Sequence, residues 1–376
     1  MAKAVYVGVG SKARKMKKAY IGIGGKARKV KKMYIGVGGK ARLCYSAELE
    51  KVGMAENLSD ERRGIAAASV GNYALFAGGI GHGSFIDRAH DAVDAYSASL
   101  TKSMPTALST VRSSHAGASV EGYALFAGGA DGQRTVDIVD SVDAYSASLT
   151  RTAAATLSGE RVWMGAASLE GRAFFAGGAS SNMNSDNKCA NVEVYNSTLT
   201  RTAATNLSVA RYYPLTATIG SRVLFAGGTG NTITKVVDVY STSLTRTAAA
   251  DLSRPTSGDA STVVGNYAIF TSDGNTSCDV YNASLTKTTV TLLSVARVNM
   301  SAGTVGDYAL FAGGGTNSPY SDVVDACDTS LTRTTVTTLD YPRSGLSSAT
   351  VGDYLLFAGG RIDSKNYSGD VFVYTA

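Results

Sequence analysis

Two histidines in one segment are the residues best placed for metal or acid–base chemistry. His82 and His90 lie eight residues apart in GIGHGSFIDRAHD, with Asp87 and Asp91 close by in the sequence. Imidazole and carboxylate groups are ligands of Zn²⁺ and other transition metals, so a metal site is conceivable there. A polar surface loop is the interpretation we favour, and we predict neither a metal nor another cofactor.

The rest of the chain contains few residues of the types that usually carry out catalysis. It contains three histidines and four cysteines, and none of the cysteines forms a CxxC pair or a metal-binding spacing with histidine. No nucleophile motif of the G-x-S-x-G kind is accompanied by triad partners. We therefore predict no catalytic residues. Cys278 and Cys327 stand at apolar positions of a repeat and are predicted to be buried.

Seven copies of an apolar segment set the positions of the loops. The segment reads YALFAGG at 73–79 and returns until YLLFAGG at 354–360, with a mean spacing of about 47 residues. A fixed period of that length is typical of propellers and other repeat architectures. Each copy lacks polar alternation, which predicts a strand covered on both faces. The closing Gly-Gly predicts a tight strand exit between packed sheets.

Three further segments complete each repeat. A Val-Asp-x-Tyr segment and a Ser-Leu-Thr-Arg-Thr segment follow the diglycine, as at 142–145 and 148–152. We letter the four strands of the resulting propeller blade a (small residues), b (ending in Gly-Gly), c (Val-Asp-x-Tyr) and d (Ser-Leu-Thr onward). Thr256 replaces, in the fifth repeat, an arginine that precedes strand a in the other six. This common register indicates blade packing and not catalysis. The arginines are Arg62, Arg112, Arg161, Arg211, Arg297 and Arg343.

These segments together resemble the Kelch repeat family over about residues 45–376. The shared features are the strand ending in Gly-Gly, the Val-x-x-Tyr strand and the strand that leads to Leu and Arg. Kelch repeats usually carry a Trp after the Tyr strand, where this chain has Leu, and its single Trp is Trp163. The resemblance is to a divergent Kelch-like form, and it implies a β-propeller fold without specifying a function.

Counting strands predicts how the propeller closes. Segments a, b and c occur seven times, the last c being Asp370–Tyr374, but only six d segments follow a c. Tyr45–Leu58 matches the missing d segment. We therefore predict an all-β fold with a seven-bladed propeller over residues 45–376. An N-terminal strand completes its last blade, so no blade is left with an open neighbour.

Residues 1–44 form a separate basic arm with a repeat of 14 residues, such as AYIGIGGKARKVKK. Val or Ile alternates with Gly before a Gly-Gly-Lys or Gly-Ser-Lys step, which predicts a chain of small β-hairpins. Residues 1–42 carry 13 positive charges and no acidic residue, whereas the remainder has a net charge of −7. The candidate anchoring residues are Tyr6, Tyr20, Tyr34, Lys12, Lys26 and Lys40.

Three interpretations of the arm stay open. It could be a solvated, solubilising segment, or it could bind nucleic acid, for which positive charge and stacking tyrosines suffice. The strict repeat instead specifies a structure, and this favours an anchoring module. The YIGVGGKARKVKK units resemble N-terminal modules of structural proteins from bacteriophages and prophages of Gram-positive bacteria, over residues 4–45. That resemblance implies a virion protein that binds other virion proteins through residues 1–44.

The b–c loops differ in length and sequence while the strands are near copies. Loops on a rigid scaffold are the usual place for recognition, and a polar loop composition suits glycan or protein targets. The alternative is that they are ordinary solvated loops. The candidate binding residues are His82, Asp87, Asn184, Asp186, Asn231, Tyr320, Arg361 and Asn366.

Together these features predict a non-enzymatic virion protein of tail, fibre or head-decoration type, assembled in the host cytoplasm and present in several copies. Its propeller would bind a host-surface glycan or protein, or partner proteins. A glycan-acting propeller enzyme is the first alternative, and an intracellular scaffold with a nucleic-acid-binding arm is the second. We predict no secretory signal and no membrane span.

Overall fold

A computed structural model describes residues 6–9, 12–15, 20–23, 26–30, 32–37, 40–46, 48–82, 88–131, 137–180, 187–315, 319–335 and 338–376. The described elements are all β-strands. No helix in these ranges is long and apolar enough to cross a membrane.

The arm consists of three two-stranded antiparallel sheets, as its sequence predicts. The 14-residue period repeats in the register, because Val9 lies opposite Lys12, Ile23 opposite Lys26 and Val37 opposite Lys40. The last hairpin runs to Ser46, two residues beyond the predicted end of the arm. The paired strands are β1 (Tyr6–Val9) with β2 (Lys12–Lys15), β3 (Tyr20–Ile23) with β4 (Lys26–Lys29), and β5 (Lys32–Val37) with β6 (Lys40–Ser46).

Seven four-stranded antiparallel sheets follow in the described part of the chain, and each is one blade. The next strand in the chain, β7 (Glu50–Ala55), belongs to the last of them. The short strands β8 (Arg62–Arg63), β11 (Ile80–Gly81) and β12 (Arg88–Ala89) form a small separate sheet. Blade 1 holds, from strand a to strand d, β9 (Ala66–Val70), β10 (Tyr73–Ala77), β13 (Val93–Ser97) and β14 (Lys102–Ser103).

The next three blades keep the same order from the axis outward. Blade 2 holds β15 (Ala116–Val120), β16 (Tyr123–Ala127), β17 (Val142–Ser146) and β18 (Arg151–Ala153). Blade 3 holds β19 (Gly165–Leu169), β20 (Arg172–Ala176), β21 (Val192–Tyr195) and β22 (Arg201–Ala204). Blade 4 holds β23 (Leu215–Ile219), β24 (Arg222–Ala226), β25 (Val237–Tyr240) and β26 (Arg246–Ala248).

The last three blades complete the ring. Blade 5 holds β27 (Ser261–Val264), β28 (Tyr267–Phe270), β29 (Ser277–Asn282) and β30 (Lys287–Thr291). Blade 6 holds β31 (Ser301–Val305), β32 (Tyr308–Ala312), β33 (Val324–Asp328) and β34 (Arg333–Thr335). Blade 7 holds β35 (Ser347–Val351), β36 (Tyr354–Ala358), β37 (Val371–Thr375) and, as its outer strand, β7.

The two ends of the propeller segment lie in one sheet. Strand β7 pairs with β37, with Ala55 opposite Val371 and Glu50 opposite Thr375. Each strand a contacts the strand a of the next blade, and β35 of blade 7 contacts β9 of blade 1. The prediction of an all-β propeller closed by an N-terminal strand is therefore confirmed.

The core lies between adjacent blades. Strand b is apolar on both sides because both of its faces are covered, and Leu75 and Phe76 are fully buried. Phe76 meets Tyr96 of strand c edge to face, with ring centroids 5.9 Å apart, and the same Phe–Tyr pair recurs in five other blades. Such contacts add to the burial of apolar area. In blade 6 the tyrosine is replaced by Cys327, which is buried as predicted.

The diglycine lets one blade approach the next closely. At Gly78 and Gly79 the backbone is left-handed, with φ of 59° and 107°. A Cβ on Gly78 would lie 2.5 Å from the Arg112 carbonyl oxygen of the next blade. Only glycine meets both conditions without strain. The diglycine is thus a packing element, in agreement with the sequence interpretation.

Hydroxyl groups close the seams along the axis. Strand a is the inner edge of its sheet. The backbone N–H and C=O groups on its free side have no strand to pair with, so they need other partners. Ser119 Oγ donates to the Ser69 carbonyl (2.6 Å), Thr216 Oγ1 to the Ala166 carbonyl (2.8 Å) and Ser261 Oγ to the Thr216 carbonyl (2.8 Å), each in the preceding blade. Small hydroxyl residues on strand a therefore satisfy the edge of the neighbouring blade.

Truncation tests the closure. Removing residues 1–46 deletes the hairpins but leaves β7, so we expect an unchanged melting temperature. Removing residues 1–58 also deletes β7 and exposes the edge of β37, so we expect a lower melting temperature and aggregation. Differential scanning calorimetry with light scattering measures both. Equal melting of the two truncations would show that β7 is dispensable.

Candidate binding site at the mouth of the central channel

The b–c loops and the d–a connections lie at the same end of the propeller. In blade 1 the connection strand β8 pairs with β11, and β11 pairs with β12 of the b–c loop. Isolated bridges repeat this pattern in other blades, as where Ala130 bridges both Ser113 and Ile138. This end, which we call the b–c face, surrounds one opening of the channel between the inner strands.

A ring of left-handed residues surrounds this opening. Each blade has such a residue two positions after the arginine register, and we call the set the mouth ring. Glycine takes this conformation readily, but Trp and Tyr pay of order 1–2 kcal/mol for it. Trp163 has a φ of 60° and Tyr213 a φ of 52°. The mouth ring consists of Gly64, Ser114, Trp163, Tyr213, Gly258, Asn299 and Gly345.

Backbone hydrogen bonds link consecutive members of the mouth ring. The amide of Trp163 donates to the Ser114 carbonyl (3.0 Å) and the amide of Tyr213 to the Trp163 carbonyl (2.9 Å). The amide of Gly258 donates to the Tyr213 carbonyl (3.4 Å) in turn. The left-handed backbone is thereby fixed from blade to blade, and the side chains it carries have a defined position.

Three aromatic side chains cluster on this ring. Trp163 lies with its ring centroid 5.3 Å from that of Tyr212 and 5.2 Å from that of Tyr213, and the two tyrosines are 5.4 Å apart. Tyr213 is 40% exposed, and Trp163 and Tyr212 are half-buried. These three residues, which we call the aromatic platform, present a rigid apolar surface at the opening.

A cation from blade 1 acts on this platform. Enclosure of the Tyr213 phenol raises its pKa, Tyr212 adds to the rise, and the Arg63 guanidinium opposes it. Arg63 also lies over the ring of Tyr367, 5.7 Å from its centroid, and His82 lies 4.9 Å from the same ring. The opening is therefore bordered by aromatic and cationic groups from several blades.

Blade 5 places two carboxyl groups next to the mouth ring. Asp259 follows Gly258 of the mouth ring, and Asp273 lies in the b–c loop of this blade. The Thr256 hydroxyl donates to Asp259 Oδ2 (3.5 Å) and accepts from the Asp273 amide (2.9 Å), so it connects the two. Burial and the charge of Asp273 raise the pKa of Asp259 to about 7, against hydrogen bonds from the Asn299 amide and Thr256.

A buried histidine lies below the mouth ring. His115 is 8% exposed and lines a cavity of about 290 Å³ together with Met164 and Ile65. Neither ring nitrogen has a well-formed hydrogen bond, although the Ala77 carbonyl faces the ring. Burial, and the charge of Arg112 second, lower the pKa of His115 well below 6.5, so the neutral form is the stable one.

The predicted loop residues are only partly gathered by the structure. His82 and Asn366 are exposed, and Asn231 is exposed and accepts a hydrogen bond from Lys188 Nζ (3.1 Å). Arg361 Nε donates to the Asp363 carbonyl (2.8 Å) and Asn366 Nδ2 to the Asp363 carboxylate (2.7 Å), so both shape their own loop. Asp87, Asn184 and Asp186 lie outside the described residues.

The prediction that Tyr320 is an exposed binding residue is wrong. A binding residue of a b–c loop should be exposed, but only 9% of Tyr320 is exposed, since its side chain packs into the protein. Replacing it would leave a cavity and lower stability, so it is not a suitable probe of binding. The arm positions Tyr6, Tyr20, Tyr34, Lys12, Lys26 and Lys40 lie at equivalent places in the three hairpins.

The residues that sequence reasoning missed are Trp163, Tyr212, Tyr213 and Asp259. A signal was present, because the position two after the arginine register is glycine in three repeats and bulky in two. A bulky residue where glycine is otherwise used marks a site of strain, and strain clusters at binding sites. In the described ranges no group of three His, Cys, Asp or Glu residues could hold a metal ion.

The titration of His115 gives a testable pH dependence. The pKa of His115 is lower in the folded than in the unfolded state, where it is about 6.5. Above pH 6.5 both states hold a neutral imidazole and the histidine costs no stability. As pH falls below 6.5 the unfolded state gains a proton that the folded state does not, so the free energy of unfolding decreases. Met164 fills the corresponding place in blade 3. For His115→Met we expect the loss of stability between pH 6.5 and 5 to become shallower by up to about 1.4 kcal/mol per pH unit.

Denaturant melts at several pH values measure this, and His82→Met, which changes an exposed histidine, is the control. An unchanged pH slope in His115→Met would contradict the assignment of a buried neutral imidazole.

No protein-family model matches the chain, and no curated protein sequence matches it. The resemblances to Kelch repeats and to bacteriophage proteins therefore stay predictions. The solved structure of YjhT is similar to this chain with a TM-score of 0.56, at 12% identity, over 86% of this chain and 97% of that chain. Identity at this level shows the fold alone. The chain is an all-β protein of propeller-like fold.

Proposed function

We propose that this protein is a non-enzymatic glycan-binding propeller of a bacteriophage virion, anchored by its N-terminal arm. The ligand is a glycan of the host surface, and it binds at the mouth of the channel on the b–c face. The aromatic platform is the observation that carries the glycan assignment, and the basic 14-residue repeat supports the anchoring role.

The platform suits a sugar because pyranose rings present apolar C–H faces that stack on aromatic rings. Trp163 and Tyr213 are held in a left-handed backbone conformation that costs stability and that glycine would adopt without strain. Strain of this kind is retained where the surrounding structure serves a function. Fixed aromatic groups also lose little conformational entropy when a ligand binds.

Polar groups around the platform supply the directional contacts that a glycan requires. Asp259 and Asp273 offer carboxylate oxygens on one side of the opening, and Arg63 offers guanidinium N–H groups from blade 1. Sugar hydroxyl groups both donate and accept, so they suit such a mixed border. A few placed polar groups beside an apolar surface are typical of small-ligand sites.

Anchoring through the arm rests on its charge and its hairpins. A two-stranded hairpin is marginal in water, and 13 positive charges without an acidic residue repel one another. Both features favour docking onto an acidic surface of an assembled particle. The regular register of the three hairpins specifies β-structure beyond the charge that nucleic acid would need.

Substitution of Trp163 by glycine separates binding from stability. Trp163→Gly loses the partial packing of the indole against a buried apolar cluster but relieves the left-handed strain, so the free energy of unfolding should fall by no more than about 2 kcal/mol. Glycan binding on an array should fall at least tenfold, and Tyr213→Gly should do the same.

Tyr341→Ala is the matched control, since Tyr341 is an exposed tyrosine away from the platform (62% exposed). It should bind as the wild type does. Undiminished binding by both platform variants, or binding to no glycan by the wild type, would refute the proposed site.

The arm is tested by shuffling its residues at constant composition. A shuffled arm keeps the charge but destroys the hairpin register, so it should fail to join purified particles, whereas the wild-type arm should join them. Immunogold labelling and quantitative blotting of gradient-purified virions measure the incorporation. A shuffled arm that incorporates normally would leave charge alone as the anchoring feature.

A glycan-acting enzyme is the second candidate, and one observation favours it. Asp259 has a pKa raised to about 7 by burial and by the exposed Asp273 beside it. A carboxyl group whose pKa is raised in this way can serve as a general acid near neutral pH. Release of new reducing ends by the wild type, abolished in Asp259→Asn, would decide for this candidate.

A further inference from the structure

We infer that the glycan bound at the mouth carries a free primary amine, which pairs as an ammonium group with Asp259 and Asp273. This inference rests on the proposed glycan-binding function and names the class of glycan. It is carried by the way in which blade 5 departs from the other six blades.

Blade 5 is the blade whose arginine is missing. Elsewhere the buried arginine lies against a carboxylate of its own blade, as Arg211 does with Asp238 at 2.9 Å. Thr256 takes the place of the arginine in blade 5, and its hydroxyl bridges Asp259 and the backbone of Asp273. Within the described chain, neither of these two carboxyl groups has an ion pair with Lys, Arg or His.

The two carboxyl groups are incompletely satisfied. Asp259 Oδ1 is buried without a hydrogen-bond partner in the described structure, and Oδ2 accepts from the neutral Thr256 hydroxyl. Asp273 is exposed beside it. A buried carboxylate oxygen with no partner is unfavourable, and a second negative charge nearby adds repulsion. Placing a cation between them removes both effects at once.

The position of the pair relative to the aromatic platform selects an amine on a sugar. Gly258 donates its amide to the Tyr213 carbonyl at 3.4 Å, and Asp259 is the next residue. A sugar bound against Tyr213 would therefore have the Asp259 segment of blade 5 as its neighbour along the mouth ring. An ammonium group there also gains from the faces of the neighbouring aromatic rings.

A neutral hydroxyl group at the same place would be a poorer partner. It can donate one hydrogen bond, but it leaves the charge of the pair uncompensated. An ammonium group donates up to three hydrogen bonds and neutralises one charge, and charge-assisted bonds are about twice as strong as neutral ones. The negative pair thus discriminates between an amine and its acetylated form. A metal ion is a weaker alternative, because no third ligating side chain accompanies the pair in the described residues.

Proton linkage supports the same assignment. Burial and, second, the neighbouring charge raise the pKa of Asp259 to about 7, so the group is partly protonated at neutral pH. A bound ammonium group favours the carboxylate form and displaces that proton. At pH 7 Asp259 should therefore give up part of a proton on binding, while an amine that is partly deprotonated takes one up, and calorimetry in buffers of different ionisation enthalpy measures the net transfer. Asp259→Asn should remove the part that is released.

The test uses the full chain and two matched probes, a hexasaccharide of glucosamine and the same hexasaccharide fully N-acetylated. They share ring and linkage and differ in the free amine. At pH 6.5 we expect the amine form to bind at least tenfold more tightly. In Asp259→Asn and Asp273→Asn this preference should fall below about threefold, while binding of the acetylated form stays within twofold of the wild type. Asp137→Asn, an exposed residue of the blade 2 loop, is the control and should keep the preference.

The outcomes separate the two proposals. Equal binding of the two hexasaccharides, with binding still lost in Trp163→Gly, refutes the amine and keeps the glycan site. A preference that survives when Asp259→Asn and Asp273→Asn are combined in one variant also refutes the assignment, because another group then recognises the amine. Tighter binding of a lysine-rich peptide, independent of Trp163, would assign the carboxyl pair to a basic protein partner and overturn the inference. If neither sugar binds, the inference is wrong, and the glycan array decides the broader proposal.

Discussion

The buried arginine–carboxylate pair is the interaction on which the propeller depends. In blade 2, Arg112 and Asp143 are in contact with almost no exposure, 0% and 1% of their side chains. Taking both charges out of water is costly, and other hydrogen bonds offset part of that cost although Arg112 Nε has no partner. Arg112 also donates to the carbonyl and hydroxyl of Ser141, and Asp143 accepts from the Ser109 amide (2.9 Å). The pair is therefore part of a network that fixes strand c to the chain entering the blade. The backbone of the same arginine holds the preceding blade, since the Gly79 amide donates to the Arg112 carbonyl at 3.0 Å.

Two blades show what the network requires. In blade 7 the aspartate position of strand c holds Phe372, and Arg343 lies 4.6 Å from the centre of its ring while Asp370 supplies the carboxylate (2.8 Å). The arginine stays and its surroundings adapt. In blade 5 the arginine itself is replaced, and Lys287 of strand d, at 3.7 Å, is the remaining cation near Asp279. This is also the blade in which Asp259 and Asp273 meet, so the irregular repeat and the unusual electrostatics of the mouth share one origin.

Most of the architecture could be predicted from the sequence, because each blade is encoded by a segment that recurs about every 47 residues. The diglycine, the Val-Asp-x-Tyr strand and the arginine register recur, and counting them assigns the N-terminal strand to the last blade. The arm hairpins follow from a second, shorter period. The site could not be predicted in the same way. Whether Tyr320 points outward or inward depends on one loop conformation, and its residue type does not encode that choice. Trp163 and Tyr213 matter because of a positive φ, which a repeat alignment shows only indirectly, as glycine in neighbouring copies. The raised pKa of Asp259 comes from its burial and, second, from the charge of Asp273, 14 positions away in the sequence, and neither is visible in the residue type.

The mouth ring has a consequence for how this scaffold can vary. Its seven members share one backbone conformation, and main-chain bonds such as Tyr213 N to Trp163 O hold it without help from the side chains. The ring is a set of seven equivalent backbone positions, of which three hold glycine and four hold larger residues. Substituting the residue at one of these positions therefore leaves the strands, the arginine network and the other ring positions in place. The side chains around the opening can therefore vary one position at a time, so that a different ligand can be bound without a change of fold.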